Sequence, residues 1–192
     1  MTDKKIILAS QSPRRKELIT YISENVEIRP MDCDETLPGK MSAKDAVEYL
    51  AKIKNDATRK ICDDEEIVIS ADTVVSVDDE ILGKPVDKED ARRMINLLSG
   101  RVHQVYTGVT ISDGKKHITF SEKTDVIFYK LTEKEIEDYI SSSEPYDKAG
   151  SYGIQGKASL LIEGIKGDYF NVVGLPVARL KRELENFYNI AL

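Results

Sequence analysis

The sequence predicts a mixed α/β fold with a mixed sheet, and three observations support this prediction. The apolar run IVI at 67–69 is typical of a strand that is covered on both faces. In the segment 42–57, apolar residues recur with the 3.6-residue period of a helix. Two alternating segments, 102–112 and 117–129, are joined at Asp113-Gly114, which is a strong hairpin signal. Helices and strands mixed along one chain favour an α/β or α+β domain.

Local signals mark the predicted elements in the first half of the chain. Ser12 is a good helix cap, and Pro13 suits the first helical position. Ser42 and Asp87 are suited to cap two further helices, and Gly100 is suited to end the second of them. The predicted elements are, in order, a strand at 5–10, a helix at 13–22, a polar loop at 31–40, a helix from 42, a strand at 65–70 that continues to a turn at 78–79, and a helix at 87–98.

After the predicted hairpin, the second half combines a capping signal with a long polar segment. Thr132 and Glu135 form a capping box for a helix that ends near Ile140. The segment 141–158 is rich in serine and glycine and is predicted to be a loop. The remaining predicted elements are two strands at 159–165 and 169–173 around a turn with Gly167, and a last helix at 176–188.

Length and composition are those of a globular protein. The 192 residues contain no linker, repeat or low-complexity segment, which predicts one domain, 1–192, with two lobes. The net charge of −6 argues against a general nucleic-acid binder, which usually has a basic excess. Cys33 and Cys62 are too few for a disulfide framework, so a cytoplasmic location is expected. We expect no signal peptide and no membrane span, because no apolar run is long enough.

The segment SPRRK at 12–16 places three cations in the first turn of a predicted helix. A helix N-terminus carries partial positive charge and prefers anions by ~0.3–1 kcal/mol per group. Arginine side chains and free helix N–H groups both bind phosphate, so an anionic ligand would reverse the unfavourable charge. The segment therefore predicts a phosphate site that includes Arg14 and Arg15. A solvated basic surface is the alternative that spacing alone leaves open.

Acidic and basic residues near predicted loops form a second candidate site. Asp72 follows the buried run at 67–69, and Glu35 lies in the polar loop. Lys84 lies in a Gly-Lys-Pro loop, and Lys148 follows an aspartate in the glycine-rich segment. Acids and lysines in loops suit chemistry in which hard oxygens hold Mg²⁺ and cations hold phosphates. For each residue alone, a turn cap or a solvated surface group is the alternative interpretation.

Several other chemistries find no support in the sequence. The chain has no Gly-x-x-x-x-Gly-Lys-[Ser/Thr] motif, which argues against an ordinary P-loop protein. The glycines of GSYGIQG at 150–156 do not have the spacing of the dinucleotide fingerprint. His103 and His117 are the only histidines, so zinc sites and histidine-activated nucleophiles are poorly supported.

Six segments, in order and over nearly the whole chain, resemble one known family. They are ILASQSPRRKEL, ISADTVV, LGKP, LSGRVHQVYTGV, DKAGSYGIQG and GDYFNVVGLP. Together they resemble the Maf family of nucleoside triphosphate pyrophosphatases, and DKAGSYGIQG resembles the branch that acts on dTTP and UTP. The resemblance implies a long twisted mixed sheet with flanking helices and two lobes around a deep cleft, similar to inosine triphosphate pyrophosphatases.

The resemblance also implies a reaction and a set of partners. The implied reaction is hydrolysis between the α- and β-phosphates with a divalent metal, Mg²⁺ or Mn²⁺, to give a nucleoside monophosphate and pyrophosphate. The implied cellular roles are removal of unwanted nucleotides from the pool and arrest of septum formation. We expect a nucleoside triphosphate as the partner, with no membrane, no stable nucleic-acid complex and a homodimeric assembly.

Ten positions are predicted site residues, and seven of them match positions of the family, among them Glu35, Lys54 and Lys84 at polar cleft positions. Asp72 matches the catalytic acid, and Arg14, Thr73 and Gln155 match positions linked to substrate choice. The predicted catalytic residues are Asp72, Glu35, Lys54 and Lys84, of which Asp72 and Glu35 are the predicted metal ligands. The predicted substrate-binding residues are Ser10, Arg14, Arg15, Thr73, Lys148 and Gln155.

Two alternative functions use the same cationic residues. One is a non-catalytic regulator of cell division that binds nucleotides or nucleic acid. The other is an enzyme that cleaves the γ-phosphate. The reaction products distinguish all three functions, because only a pyrophosphatase releases a monophosphate together with pyrophosphate.

Overall fold

The computed structural model describes residues 4–188 and contains a seven-stranded mixed sheet. The strands are β1 (Ile6–Leu8), β2 (Val26–Ile28), β3 (Ile67–Val77), β4 (Glu80–Leu82), β5 (Val102–Ser112), β6 (His117–Phe128) and β7 (Ile162–Lys166). Their order is β2-β1-β3-β5-β6-β7, and β4 pairs with β3. The strand β1 is parallel to β2 and β3, whereas the pairs β3–β4 and β6–β7 are antiparallel. The predicted mixed α/β class is confirmed.

Six α-helices occur in the described residues, and several start where local capping signals predict. They are α1 (Pro13–Ile19), α2 (Ala43–Arg59), α3 (Lys88–Leu98), α4 (Glu133–Ile140), α5 (Tyr169–Val173) and α6 (Val177–Tyr188). Ser42 and Asp87 accept the expected backbone N–H bonds at the starts of α2 and α3. The Thr132–Glu135 capping box is formed at α4. None of the helices described in residues 4–188 has the length and apolar character required to cross a bilayer.

The described chain forms two compact units. Unit 1 comprises the chain up to Asp72, Thr107–Glu122 and the chain from Gly174 onward. Unit 2 comprises Thr73–Tyr106 and Lys123–Val173. The chain changes units within the strands β3, β5 and β6. The expected single domain and the expected cleft stay predictions.

In unit 1, helix α2 packs closely against strands β3 and β5. The buried Asn55 side chain donates hydrogen bonds to the carbonyls of Val68 and Thr110, both at 3.1 Å. Ser70 Oγ donates to the Ala51 carbonyl at 2.6 Å. A Cβ atom at Gly108 would lie 2.3 Å from a backbone oxygen of α2, so only glycine permits this approach. These contacts fix α2 relative to the part of β3 that precedes Asp72.

In unit 2, helices α3 and α4 cover an apolar core. The buried members of the core lie on β3, β4, β5, β6, the two helices and the segment after α4, and they include Val75, Leu98, Val126, Phe128 and Ile140. The predicted turn at Asp78-Asp79 joins β3 to β4, and both residues have positive φ, 49° and 63°. Two successive positive φ angles match the twist of a tight hairpin, and aspartate tolerates them.

One predicted strand is wrong, because the segment 169–173 is the helix α5. Asp168 Oδ1 accepts a hydrogen bond from the Phe170 amide at 2.8 Å, which supports the first turn. The buried Asn171 side chain donates to the Val105 carbonyl and to Thr124 Oγ1, both at 3.0 Å. The aromatic and β-branched residues of the segment are typical of a strand, but these bonds to distant strands favour the helical conformation.

Other boundaries differ by a few residues. Helix α1 ends at Ile19 rather than at 22, because the next amides bond three residues back and tighten the chain into a turn. The strand predicted at 159–165 begins only at Ile162, after a 3-10 turn at Gly156–Leu160. The predicted continuation of the strand at 65–70 to the turn at 78–79 is confirmed, because β3 runs to Val77 and Asp72 lies within it.

Candidate active site

Lys54 brings two of the predicted catalytic carboxylates together within unit 1. Its Nζ lies 2.5 Å from Asp72 Oδ1 and 2.8 Å from Glu35 Oε2. The Lys54 and Asp72 side chains are 17% and 14% exposed, whereas Glu35 is 55% exposed. The three predicted residues therefore form one charged cluster, with Asp72 at its protected end.

Each member of the cluster is held by a different element. Lys54 lies on α2, and the Asn55 and Ser70 bonds described above fix this helix against β3. Asp72 lies in β3 between residues 67–69, which pair with β1, and residues 75–77, which pair with β4. Glu35 lies in the polar loop, where Asp34 Oδ1 accepts a hydrogen bond from the Thr36 amide at 2.9 Å. That bond closes a local turn around Glu35.

The electrostatics of the cluster keep Lys54 charged. Burial of the ammonium group lowers the pKa of Lys54, but the charges and hydrogen bonds of Asp72 and Glu35 outweigh burial and raise it above its ordinary value. Nearby, burial and the charge of Glu35 raise the pKa of Cys33. Cys33 is therefore a thiol at neutral pH, in agreement with the absence of any sequence signal for a nucleophilic cysteine.

Arg15 binds backbone groups next to this cluster. Its Nη1 donates to the Ala71 carbonyl at 2.8 Å and to Ser10 Oγ at 3.4 Å. Its Nε donates to the Gly174 carbonyl at 2.8 Å. Burial lowers the pKa of Arg15, partly offset by the charge of Asp72, and arginine remains protonated at neutral pH. Arg15 thus links α1 to the residue before Asp72, whereas Arg14 is a half-buried residue on the same helix.

The remaining predicted residues belong to unit 2. Thr73 follows Asp72 in β3, and Lys84 is exposed just after β4. Lys148 Nζ donates to the Glu144 carbonyl at 2.7 Å and lies 2.5 Å from Asp147 Oδ1. The Gly150 amide donates to the Gly83 carbonyl at 2.9 Å. This bond connects the segment that carries Lys148 to the segment that carries Lys84.

Gln155 lies in an exposed part of the segment after α4. The following residue, Gly156, has φ +77° and begins a 3-10 turn. Glu144 accepts the first backbone hydrogen bonds of that turn. Glu144 has only a weak local signal in the sequence, an acidic residue before Pro145 at the start of a segment with many turn residues.

The donor set suits a hard divalent cation in the presence of substrate. In residues 4–188, no group of three or more histidine, cysteine or acidic side chains has a geometry that would hold a metal alone. Glu35 and Asp72 nevertheless approach the same ammonium group, so both are within reach of one cation position. Mg²⁺ is commonly held by one or two carboxylates, with the other positions filled by water and substrate phosphates. The two carboxylates fit that pattern.

Comparisons with known proteins agree on one family. The family model described as Maf-like protein matches residues 5–187. A dTTP/UTP pyrophosphatase from Bacillus cereus strain G9842 is 52% identical over 184 residues, which cover 96% of each chain. Proteins with the same name from Bacillus cytotoxicus and Bacillus anthracis are each 50% identical over 184 residues, again 96% of each chain.

Two solved structures show a more distant similarity. The Ham1 protein of Staphylococcus aureus has a TM-score of 0.49 and 17% identity, over 65% of this chain and 72% of that protein. A HAM1 protein from Coxiella burnetii has a TM-score of 0.45 and 12% identity, over 67% of this chain and 74% of that protein.

Proposed function

The chain belongs to the family of Maf-like proteins, and we propose that it hydrolyses dTTP and UTP between the α- and β-phosphates. The products are the nucleoside monophosphate and pyrophosphate. The observation that carries this proposal is the cluster in which Lys54 lies between Asp72 and Glu35. The names of the relatives, dTTP/UTP pyrophosphatases at about half identity over 96% of the chain, support the substrate class.

The cluster combines two groups that triphosphate hydrolysis requires, namely carboxylates that act on water and metal and a cation that offsets their charge. Carboxylates orient a water molecule and hold a metal ion, but they repel a polyanionic substrate. Lys54 offsets that repulsion, because its ammonium group contacts both acids. We assign Asp72 the role of accepting a proton from water, because it is the more protected acid and is fixed within β3. A carboxylate placed to accept a proton typically contributes 10²–10⁴-fold to a rate.

Mg²⁺ or Mn²⁺ is the proposed cofactor, with Glu35 and Asp72 as its protein ligands. When bound with the triphosphate, such an ion neutralises phosphate charge and lowers the pKa of coordinated water. Lys54 would offset the negative charge of the two carboxylates, which it contacts. The hard oxygen ligands favour these ions over soft metals.

Cationic side chains account for binding of the triphosphate. We propose Arg14 and Arg15 as phosphate ligands, with Arg15 also holding α1 against the Ala71 carbonyl. Ser10, which contacts Arg15, belongs to the same proposed phosphate-binding group. Lys84, together with Lys54, is proposed to offset charge on the pyrophosphate leaving group, and Lys148 is proposed as a further substrate ligand.

Thr73 and Gln155 are the proposed residues of base selection. A glutamine amide carries one donor and one acceptor edge, which matches the N–H and an adjacent carbonyl of uracil or thymine. Cytosine has an acceptor in place of that N–H and an amino group in place of the adjacent carbonyl, so an amide held in the orientation that pairs with uracil leaves a polar group unpaired. We therefore propose UTP and dTTP as good substrates and CTP as a poor one.

The cellular assignments follow from this activity. Removal of unwanted pyrimidine nucleotides from the pool is the proposed role, and arrest of septum formation stays a prediction. Nucleotide substrates and two free cysteines support the expected cytoplasmic location. A homodimer and the absence of a stable nucleic-acid complex stay predictions.

Product identification tests the proposed function. The protein is incubated with UTP, dTTP, CTP or ATP and Mg²⁺, and the products are separated by ion-exchange chromatography. UMP and dTMP with pyrophosphate support the proposal. A nucleoside diphosphate with inorganic phosphate identifies γ-phosphate cleavage instead, and tight binding without turnover identifies a regulator.

A further inference from the structure

We propose that Glu144 is a positioning residue that holds the Gln155 segment in the conformation needed to distinguish pyrimidine bases. This inference rests on the proposed function and adds a residue to it. Glu144 lies in unit 2, at the start of the segment that follows α4. Its side chain accepts hydrogen bonds from residues 13 and 14 positions further along the chain.

The two carboxylate oxygens of Glu144 each accept one backbone N–H. Oε2 lies 2.8 Å from the Lys157 amide nitrogen, and Oε1 lies 3.1 Å from the Ala158 amide nitrogen. These amides belong to the first turn of the 3-10 segment Gly156–Leu160, where N–H groups have no acceptor within the turn. Glu144 therefore caps this turn from a distance.

This remote cap leaves the side chain of Gln155 available for another role. Gln155 occupies the N-cap position of the turn, yet its side chain makes no capping hydrogen bond. The residue is exposed. If Gln155 had to satisfy the amides of the turn, its amide group would point toward its own backbone. Because Glu144 satisfies them, the Gln155 amide can be used to recognise a base.

The backbone beside Gln155 is fitted to the Glu144 carboxylate. Gly156 has φ +77°, a conformation that favours glycine. A Cβ atom at this position would also lie 2.7 Å from Glu144 Oε2. The positive φ therefore favours glycine directly after Gln155, and a larger side chain there would displace the Glu144 carboxylate.

The other end of the segment is held through Tyr139. Its hydroxyl donates to the Ser151 carbonyl at 3.1 Å and lies 3.5 Å from Glu144 Oε1. Burial and the charge of Glu144 raise the pKa of Tyr139, so the hydroxyl stays protonated and remains a donor. Between the two ends, the buried Tyr152 hydroxyl lies 2.6 Å from His103 Nε2. The segment is thus fixed on both sides of the exposed Gln155.

Glu144→Gln is the sharpest test, because it preserves size and removes one acceptor. The amide supplies one oxygen and one NH₂ group, so one of the two backbone N–H groups faces a donor. Glu163→Gln is the matched control, since it makes the same change of charge at an exposed position on β7 of the same unit. Tyr139→Phe is a second variant, which weakens the other anchor and leaves the Glu144 carboxylate in place.

The kinetic readout separates positioning from a general structural defect. Steady-state kinetics with UTP and CTP give kcat and KM for wild type and the three variants. We expect Glu144→Gln to raise the KM for UTP about tenfold, because one backbone N–H of the turn loses its acceptor, while kcat changes by less than about threefold. Because the KM for UTP rises, the ratio of kcat/KM for UTP to kcat/KM for CTP is expected to fall in this variant. Tyr139→Phe changes the ratio in the same direction, and Glu163→Gln leaves it unchanged.

Backbone NMR gives a readout that does not depend on activity. Carboxylate acceptors shift amide protons downfield, so the Lys157 and Ala158 signals are expected to move upfield in Glu144→Gln and to stay in place in Glu163→Gln. Unchanged signals together with an unchanged UTP-to-CTP ratio would overturn the inference. An equal fall of kcat for UTP and CTP would also overturn it. If the wild-type protein releases no UMP and pyrophosphate, the proposed function fails. In that case, upfield movement of the Lys157 and Ala158 amide signals in Glu144→Gln still supports the anchoring role of Glu144.

If Glu144→Gln does not fold, Tyr139→Phe decides the question. A folded Tyr139→Phe protein with a lowered UTP-to-CTP ratio supports the inference. The wild-type ratio in that variant contradicts it.

Discussion

Lys54 Nζ and Asp72 Oδ1 lie 2.5 Å apart, although 18 residues separate them in the chain. The pair joins α2 to β3, and Glu35 contacts the same ammonium group from the polar loop. The charge of the lysine makes two neighbouring carboxylates compatible with a polyanionic substrate.

The first prediction concerns Asp72. Asp72→Asn preserves the shape of the side chain and removes its charge, so the variant is expected to fold normally and to lose at least about 10²-fold in kcat. Pyrophosphate release from UTP measures the change. Asp56→Asn is a matched control, because Asp56 lies on α2 in an exposed pair with Lys52. Near-normal turnover by a well-folded Asp72→Asn protein would remove Asp72 from the mechanism.

The second prediction concerns the pH dependence of the Lys54 ion pairs. The folded-state pKa of Lys54 is raised above its ordinary value of 10.5, despite the opposing effect of burial. A lysine whose pKa is raised by folding stabilises the folded state. This stabilisation is fully present below the unfolded-state pKa and is lost as the pH rises through the folded-state pKa. The difference in unfolding free energy between wild type and Lys54→Met is therefore expected to be constant from about pH 7 to pH 9 and to shrink above about pH 10.5. Urea unfolding at a series of pH values measures it, and a difference that shrinks between pH 7 and 9 contradicts the prediction.

The third prediction concerns an ion pair away from the candidate site. Arg29 donates to both oxygens of Glu66, at 2.9 and 3.1 Å. The hydrogen bonds from Arg29 outweigh burial and lower the pKa of Glu66 from 4.5 to about 2. A lowered carboxyl pKa gives stability that is present above the unfolded pKa and is lost as pH falls through the folded pKa. Wild type is thus expected to lose stability between pH 4.5 and about 2.

Glu66→Gln isolates this contribution. The variant is expected to be less stable than wild type at pH 7, and its midpoint in urea is expected to depend less on pH in the acid range. Glu65→Gln is the control, because Glu65 is the exposed neighbour in the sequence. Parallel acid profiles for wild type and Glu66→Gln would show that the pair with Arg29 does not shift this carboxyl group.

Capping signals could be predicted from the sequence because they are local. Ser42, Asp87 and Thr132 bond to amides three residues away, so short segments identify the starts of α2, α3 and α4. The helix α5 could not be predicted in this way. Its buried Asn171 bonds to Val105 and Thr124, which are 66 and 47 residues away in the chain.

In the candidate site too, some features could be predicted from the sequence and others depend on contacts between residues that are distant in the chain. Asp72 was predicted from its segment ISADTVV and Glu35 from the polar loop, whereas Lys54 was assigned to the site only through the resemblance to the family. The partners of Arg15 were not predicted. They include the carbonyls of Ala71 and Gly174, 56 and 159 residues away, and a backbone carbonyl has no signature in a sequence.

The fourth prediction separates the two arginines of α1. Arg15→Ala removes hydrogen bonds to the Ala71 and Gly174 carbonyls, so it is expected to lower the free energy of unfolding by about 1–3 kcal/mol. Arg14→Ala removes a cation from the first turn of a helix, so stability is expected to stay level or rise slightly. Arg14→Ala is expected to change ligand affinity and not to lower stability, and to weaken triphosphate binding by about 1.5–3 kcal/mol.

Thermal unfolding and titration calorimetry with a non-hydrolysable UTP analogue measure the two effects. Lys16→Ala is the control, because Lys16 is exposed on the same helix. Unchanged nucleotide affinity in Arg14→Ala would refute its assignment as a phosphate ligand. Equal stabilities of the two arginine variants would contradict the positioning role given to Arg15.

The last prediction concerns base selection by Gln155. Its exposed side chain makes no cap to the following turn, and the amide offers a donor and an acceptor side by side. Uracil and thymine present a carbonyl next to an N–H, so both edges of the amide can be satisfied. Cytosine has an acceptor at the N–H position and an amino group beside it, so an amide held in the orientation that pairs with uracil leaves a polar group unpaired at a cost of about 1–3 kcal/mol. Gln155→Ala removes this distinction, so kcat/KM is expected to fall more for UTP than for CTP.

The ratio of kcat/KM for UTP and CTP is the decisive quantity, because it cancels effects on the phosphate site. Lys157→Ala is a suitable control, since Lys157 is exposed two residues away and its contact with Glu144 is made by the backbone amide. A ratio that moves toward unity only in Gln155→Ala supports base reading by this amide. If both rates fall equally and the ratio stays at its wild-type value, Gln155 supports the conformation of the segment and another residue reads the base.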